Sequence, residues 1–187
     1  MDFNNQQKLI ITLLTEIHAN LKITDGLDPE FVQRVVNEGH GWALSWKYDG
    51  MFNGSDDSPE SVKYVADVLE MWSFLEGSYK ELDENDQKVL AEKADPFGTH
   101  VKFKGFDGNN ESEYRSIARI FVNDLDRWSE FEGRDLNSHS PTTDVYRRML
   151  PVFDEIRTKQ MSNHDFDFFG VEELAAVLNS QRHPSKR

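Results

Sequence analysis

Apolar positions along the chain recur mostly at three- and four-residue intervals, the spacing that gathers side chains on one face of an α-helix. In NNQQKLIITLLTEIHANL, residues 4–21, Leu9, Ile10, Leu13, Leu14, Ile17 and Leu21 line one broad face. Asn4 with Gln7 three residues later reads as a capping box at its start. DGLDPEFVQRVVNEG gives a second helix, with Asp28 as N-cap, Pro29 at the first helical position, a stripe of Phe31, Val32, Val35 and Val36, and Gly39 as the stop. Trp42 and Trp46 share a face of a third, short segment bounded by Gly41, Gly50 and Gly54. A long helix is predicted near 59–82, capped by Ser58 with Pro59 at its first position; Val62, Val65, Leu69, Trp72, Leu75, Tyr79 and Leu82 recur at helical spacing.

The next stretch is charged, is broken by Pro96 and Gly98, and holds a short helix near Gln87–Lys93. Residues 100–106 alternate like a strand, but a lone strand has no ladder partner, so an extended segment pinning Val101, Phe103 and Phe106 to the core is expected. Another helix is predicted near 111–131 on the pattern of Tyr114, Ile117, Ala118, Phe121, Val122, Leu125 and Trp128. Pro141 opens a helix carrying Val145, Tyr146, Met149, Phe153 and Ile156, which Pro151 should kink or divide. VEELAAVLNS closes the series. The prediction is an all-α, multihelical fold of at least five helices, as a single domain over 1–180 with a polar tail at 181–187.

Composition narrows the function classes. A net charge of −13 repels a phosphate backbone, so non-specific nucleic-acid binding is not expected. Cysteine is absent, which excludes disulfides, thiolate zinc sites and cysteine nucleophiles. No secretory leader or apolar run of spanning length is present, so no membrane association is expected and the expected location is cytoplasmic.

The densest polar motif is FKGFDGNNESEY, residues 103–114. A calcium loop begun at Asp107 needs Gly at its sixth position and Glu at its twelfth; Ser112 and Ala118 stand there. What fits is an Asx-type turn at Asp107-Gly108, followed by a capping box of Asn110 and Glu113. A second calcium frame from Asp165 has Asp167 and Gly170 in place but fails at Phe169 and Ala176. The six histidines show no zinc-site spacing, and no metal or cofactor is expected. His40 lies between Gly39 and Gly41, glycines read as ending one helix and starting the next. Asp67 and Glu70 share a face of the long helix, and in so acidic a chain they read as a solvated face.

VVNEGHG, SVKYVADVLEMW, VKFKGFDGNNESEY, FVND and SPTTDVYRRMLPVF, in that order and spacing, closely resemble the YfbU family of bacterial proteins. The resemblance runs from about Asn5 to about Leu178 and implies an all-helical domain without an assigned biochemical activity. Some similar proteins carry a ribbon-helix-helix-type DNA-binding segment ahead of this domain; no basic β-ribbon precedes the first helix here. The chain departs from the family pattern in a longer Asp83–Gly98 segment and in Pro151.

The expected function is a non-enzymatic interaction or regulatory module that self-associates as a homo-oligomer and engages a protein partner. The alternative is an enzyme with a polar inter-helix site for a phosphate-bearing small molecule or nucleic acid. Its candidate residues are Glu70, Asp107, Asn123 and Arg148, because all four fall in the family-like segments. The acids would serve as base or metal ligand and Arg148 would hold an anion; a plain ion-pair network is the competing role. A third reading is a nucleic-acid-linked regulator or acidic DNA mimic.

Overall fold

Phe31, Val32, Val35 and Val36 are all buried, which makes α2 (Pro29–Asn37) a direct readout of its sequence pattern. Asp28 caps it by accepting from the backbone N–H groups of Glu30 and Phe31 at 3.0 and 3.1 Å, and Gly39 leaves it at φ +82°. The computed structural model describes residues 1–51, 58–164, 167–183 and 185. Gly54, Asp165 and tail residues 184, 186 and 187 lie outside the described residues. The other helices are α1 (Asn5–Asn20), α3 (Trp42–Lys47), α4 (Glu60–Glu81), α5 (Glu84–Lys93), α6 (Ser112–Arg119), α7 (Thr143–Ser162) and α8 (Val171–Asn179). Among the described residues the one strand-like pairing is a parallel bridge between Phe106 and Asn137, so the fold is all-α. No helix among them is long and apolar enough to cross a membrane.

α4 is the axis of the core and packs against α6, α7 and α8. Val62, Val65, Val68, Leu69, Met71, Trp72 and Leu75 are buried along it. α5 is followed by a 3₁₀ turn at Phe97–Thr99 and then a non-helical segment that pins Val101, Phe103 and Phe106 into the core, as expected. Phe103 and Phe106 pack edge-on at 5.9 Å, and both meet Tyr146 of α7. Gly105 sits at φ +88°, and a Cβ there would lie 2.2 Å from the Leu136 carbonyl, so only glycine lets the two segments touch.

Two buried carboxylates tie this layer together. Glu76 of α4 accepts the Phe103 N–H at 2.8 Å and a two-pronged ion pair from Arg134 at 2.7 and 2.8 Å. Glu111 accepts from the backbone N–H groups of Asp107, Thr142 and Thr143 and from the Thr142 hydroxyl. A buried carboxylate without such donors would be strongly destabilising.

Several sequence expectations are revised at helix ends. Asn110 and Glu113 do not form a capping box: α6 starts at Ser112, and Asn110 donates its side-chain amide to Asp107 at 2.5 Å. The Asx turn is present, with Asp107 accepting the Asn109 N–H at 3.0 Å. Pro59, not Ser58, occupies the N-cap position of α4; the Ser58 hydroxyl instead accepts the Trp46 indole N–H. The helix predicted near 111–131 breaks into α6, a π-turn at Ile120–Asp124 and a 3₁₀ turn at Ser129–Phe131. Ile120, Phe121 and Val122 are all buried within the π-turn. Asp126 and Trp128 then take left-handed backbone, φ 51° and 48°, which ends the run. α5 begins at Glu84, earlier than expected, because Asp83 caps it through Asn85 and Asp86. Pro151 leaves α7 undivided; it lies on the exposed side, where the missing backbone donor is tolerated.

α1 packs on α2 through Ile11, Thr15 and His18. The broad apolar face read from the sequence points the other way. Leu9, Ile10, Leu13, Leu14, Ile17 and Leu21 are each between 51% and 67% exposed.

Candidate functional site

Along α6, Ser112, Arg115, Ser116 and Arg119 recur at three- and four-residue spacing and form one polar face. The π-turn continues that face with Asn123 and Asp124, and α2 faces it with Arg34 and Glu38. Together they line a cleft of about 450 Å³, within the size range of small-molecule sites. Arg34 closes one end by a two-pronged pair with Asp124, at 2.5 and 3.2 Å. Arg115 is held by Asp135, through the carboxylate at 2.7 Å and the backbone carbonyl at 3.3 Å. Arg119 has no hydrogen bond or ion pair among the described residues. Gly108 completes the wall, and a Cβ there would stand 3.3 Å from Arg115 Nη1.

Behind the cleft, His40 Nε2 and Ser116 Oγ lie 2.9 Å apart. Burial holds the imidazole below its ordinary pKa, and Arg34 adds to the effect against the opposing pull of Glu38 and Glu113. A hydroxyl beside a neutral imidazole is the start of a nucleophile–base pair. No carboxylate among the described residues hydrogen-bonds the other ring nitrogen, so the orienting acid of a catalytic triad is missing. Gly39 ends α2 and Gly41 precedes α3, as the sequence suggested. Gly41 is required by the chain's own N-terminus, since a Cβ would lie 2.4 Å from the Met1 carbonyl oxygen.

Of the four candidates read from the sequence, Asn123 lines this cleft. Glu70 instead accepts the Trp128 indole N–H at 3.1 Å. Asp107 is 1% exposed and organises its turn. Arg148 donates to the Gln181 carbonyl at 2.8 Å, tying α7 to the end of α8. No hydrogen bond or ion pair joins any two of the four among the described residues. Nor does any group of three or more His, Asp or Glu there stand together as metal ligands. Asp67 and Glu70 are both exposed, as a solvated face requires, and partial burial with Asp154 of α7 pushes the Asp67 carboxyl up.

Sequence reasoning missed Arg34, Arg115 and Arg119 as site residues, although the spacing of Arg115-Ser116 and Arg119 on α6 was a usable signal. It also missed Glu76, an acid on the same stripe of α4 as Leu69 and Trp72. Glu111 left no comparable trace, because its donors other than the Asp107 N–H come from residues 31 and 32 positions away.

A UPF0304 protein of Methanocaldococcus jannaschii is 30% identical over 132 residues, 67% of this chain and 71% of its own length. A UPF0304 protein of Actinobacillus succinogenes is 24% identical over 182 residues, covering 96% of this chain and all of the relative. One of Pasteurella multocida is 25% identical over 155 residues, 82% of this chain and 88% of its own. None of these names states an activity. The YfbU domain matches residues 1–180, and the chain therefore belongs to the YfbU family.

Proposed function

We propose that this protein is a non-enzymatic interaction or regulatory module that self-associates, the outer face of α1 docking on the same face of a second copy. One observation carries the reading: six large apolar side chains share that face, each more than half exposed. They present on the order of 600 Å² of contiguous apolar surface, above what a typical monomer leaves open and close to one side of a stable interface.

The chemistry of the face favours a second copy as occupant. Between Asn5 and Asn20 the charged residues are Lys8 and Glu16, which cancel, whereas the whole chain carries −13. Two such chains repel each other over most of their surface and least over α1. Ile10, Leu14, Ile17 and Leu21 are spaced four, three and four apart, the seam along which two helices pair. A two-fold contact brings the same seam from both copies, so one self-complementary stripe suffices.

Sedimentation velocity across a concentration series tests this. The native protein is expected to form a dimer that dissociates on dilution, and Ile10→Glu is expected to be monomeric with an unchanged circular-dichroism melt. Native protein that stays monomeric at about 100 μM, a dissociation constant too weak to matter in solution, overturns the proposal.

A further inference from the structure

We propose that the cleft between α2 and α6 binds a small phosphorylated polyol, such as a sugar phosphate, by its phosphate. The cleft gathers the guanidinium groups of Arg34, Arg115 and Arg119 beside two lining acids, Glu38 and Asp124, in a chain whose net charge is −13. The acids around it are accounted for as follows. Asp124 lines the cleft and is taken up by Arg34; Asp135 holds one nitrogen of Arg115; Glu38 lines the α2 side and makes no side-chain hydrogen bond among the described residues.

That leaves two cationic donors for an incoming anion: the whole guanidinium of Arg119 and Nη1 of Arg115. Planar guanidinium groups bind phosphate through paired, charge-assisted hydrogen bonds. The Ser112 hydroxyl on the same wall adds a neutral donor suited to a remaining phosphate oxygen. Gly108 contributes space, because a side chain there would crowd Arg115 Nη1.

The rest of the lining selects what the phosphate is attached to. Among the described residues no aromatic side chain lines the cleft, and Ile120 is its one apolar member. A nucleobase would find no stacking platform. Glu38 offers free acceptors, and the Asn123 amide offers both acceptor and donors, a combination that suits hydroxyl groups. The volume of about 450 Å³ accommodates a sugar phosphate. The cleft is distinct from the outer face of α1, so this inference stands apart from self-association.

The test is isothermal titration calorimetry of the full chain with glucose 6-phosphate, glucose and inorganic phosphate, beside the Arg119→Ala and Asn123→Ala variants. Both positions are exposed, and circular-dichroism melts check that the variants fold. Glucose 6-phosphate is expected to bind, more weakly as salt is raised, with no heat from glucose. Arg119→Ala is expected to weaken binding about tenfold or more, the loss of one charge-assisted bidentate contact. Absence of binding at about 10 mM glucose 6-phosphate, or unchanged binding by Arg119→Ala, overturns the site. Inorganic phosphate binding as tightly as the sugar phosphate, or unchanged binding by Asn123→Ala, overturns the polyol assignment.

Discussion

Replacing Glu111 by Gln measures how far one buried carboxylate holds the loop and two helices together. Glu111 is 8% exposed. One carboxylate oxygen accepts from the Thr142 and Thr143 N–H groups at 2.9 and 2.7 Å. The other accepts from the Asp107 N–H at 2.9 Å and lies 3.1 Å from the Thr142 hydroxyl, whose one proton it shares with the Gly105 carbonyl at 3.0 Å. Glutamine keeps one acceptor oxygen, which can serve the Thr142–Thr143 pair. Its amide nitrogen can donate to the Thr142 hydroxyl, which also donates to the Gly105 carbonyl. The Asp107 N–H then faces a second donor and loses its partner. An orphaned buried N–H costs about 1–3 kcal/mol, and the two surviving bonds lose their charge assistance, so the expected loss is about 3 kcal/mol. In a chain of this length that lowers the melting temperature by about 9 °C.

The pH dependence gives an independent check. Burial pushes the Glu111 carboxyl up, but the donors from Thr143, Asp107 and Thr142 outweigh it and hold the group below its ordinary value. A lowered folded pKa means that the stabilisation is complete above the unfolded value, about 4.3, and drains away as pH falls through the folded one. Glutamine does not titrate. The gap between native protein and Glu111→Gln should therefore be widest near pH 7 and shrink below about pH 4. Urea unfolding followed by tryptophan fluorescence at both pH values reads it. A gap under about 1 kcal/mol at pH 7, or one that is the same at both pH values, refutes the reasoning.

Arg134→Met leaves the Glu76 carboxylate buried without its counter-ion and should cost about 3–5 kcal/mol. Adding Glu76→Gln, which keeps an acceptor for the Phe103 N–H, should recover at least half of that loss in the same urea assay. For His40, burial lowers the folded pKa below the ordinary value of 6.5. Its stabilisation is thus complete above about pH 6.5 and is lost as pH falls through the folded value; His40→Gln should flatten that slope in melts taken from pH 7.5 to pH 5.

Where information is local in the chain, reading the sequence and seeing the structure coincide. Asp28, Pro29, the four-residue stripe and Gly39 define α2 within eleven or so residues, because capping, φ restriction and one-sided burial all act between near neighbours. α4 and the burial of Val101, Phe103 and Phe106 were legible for the same reason. The break after Arg119 was not. The apolar period continues through Phe121, Val122, Leu125 and Trp128, and nothing local in it marks the π-turn at Ile120–Asp124. What surrounds the turn comes from far along the chain: Trp42 and Trp46 pack on Phe121 at 5.1 Å.

The candidate site divides along the same line. Asn123 was reached from the sequence through its place in a family-like segment, and it does line the cleft. Glu70, Asp107 and Arg148 carry equally suitable chemistry, but each is committed to a neighbour that the sequence does not disclose: Trp128, the Asp107 turn itself, and Gln181. The cleft exists because α2 brings Arg34 and Glu38 opposite α6, across some 80 positions of chain.

By itself, the sequence determined that the chain is helical, where most helices lie, and that α1 has a broad apolar face. Those properties follow from periodicity, caps and propensity, which are sums over near neighbours. Tertiary structure alone decided that α1 turns that face outward while Ile11, Thr15 and His18 meet α2. It alone decided that Glu76 and Glu111 are buried and that three arginines share one cleft. Burial and convergence depend on which distant segments arrive at the same place, and a one-dimensional pattern fixes the faces of a helix without choosing what each face will meet.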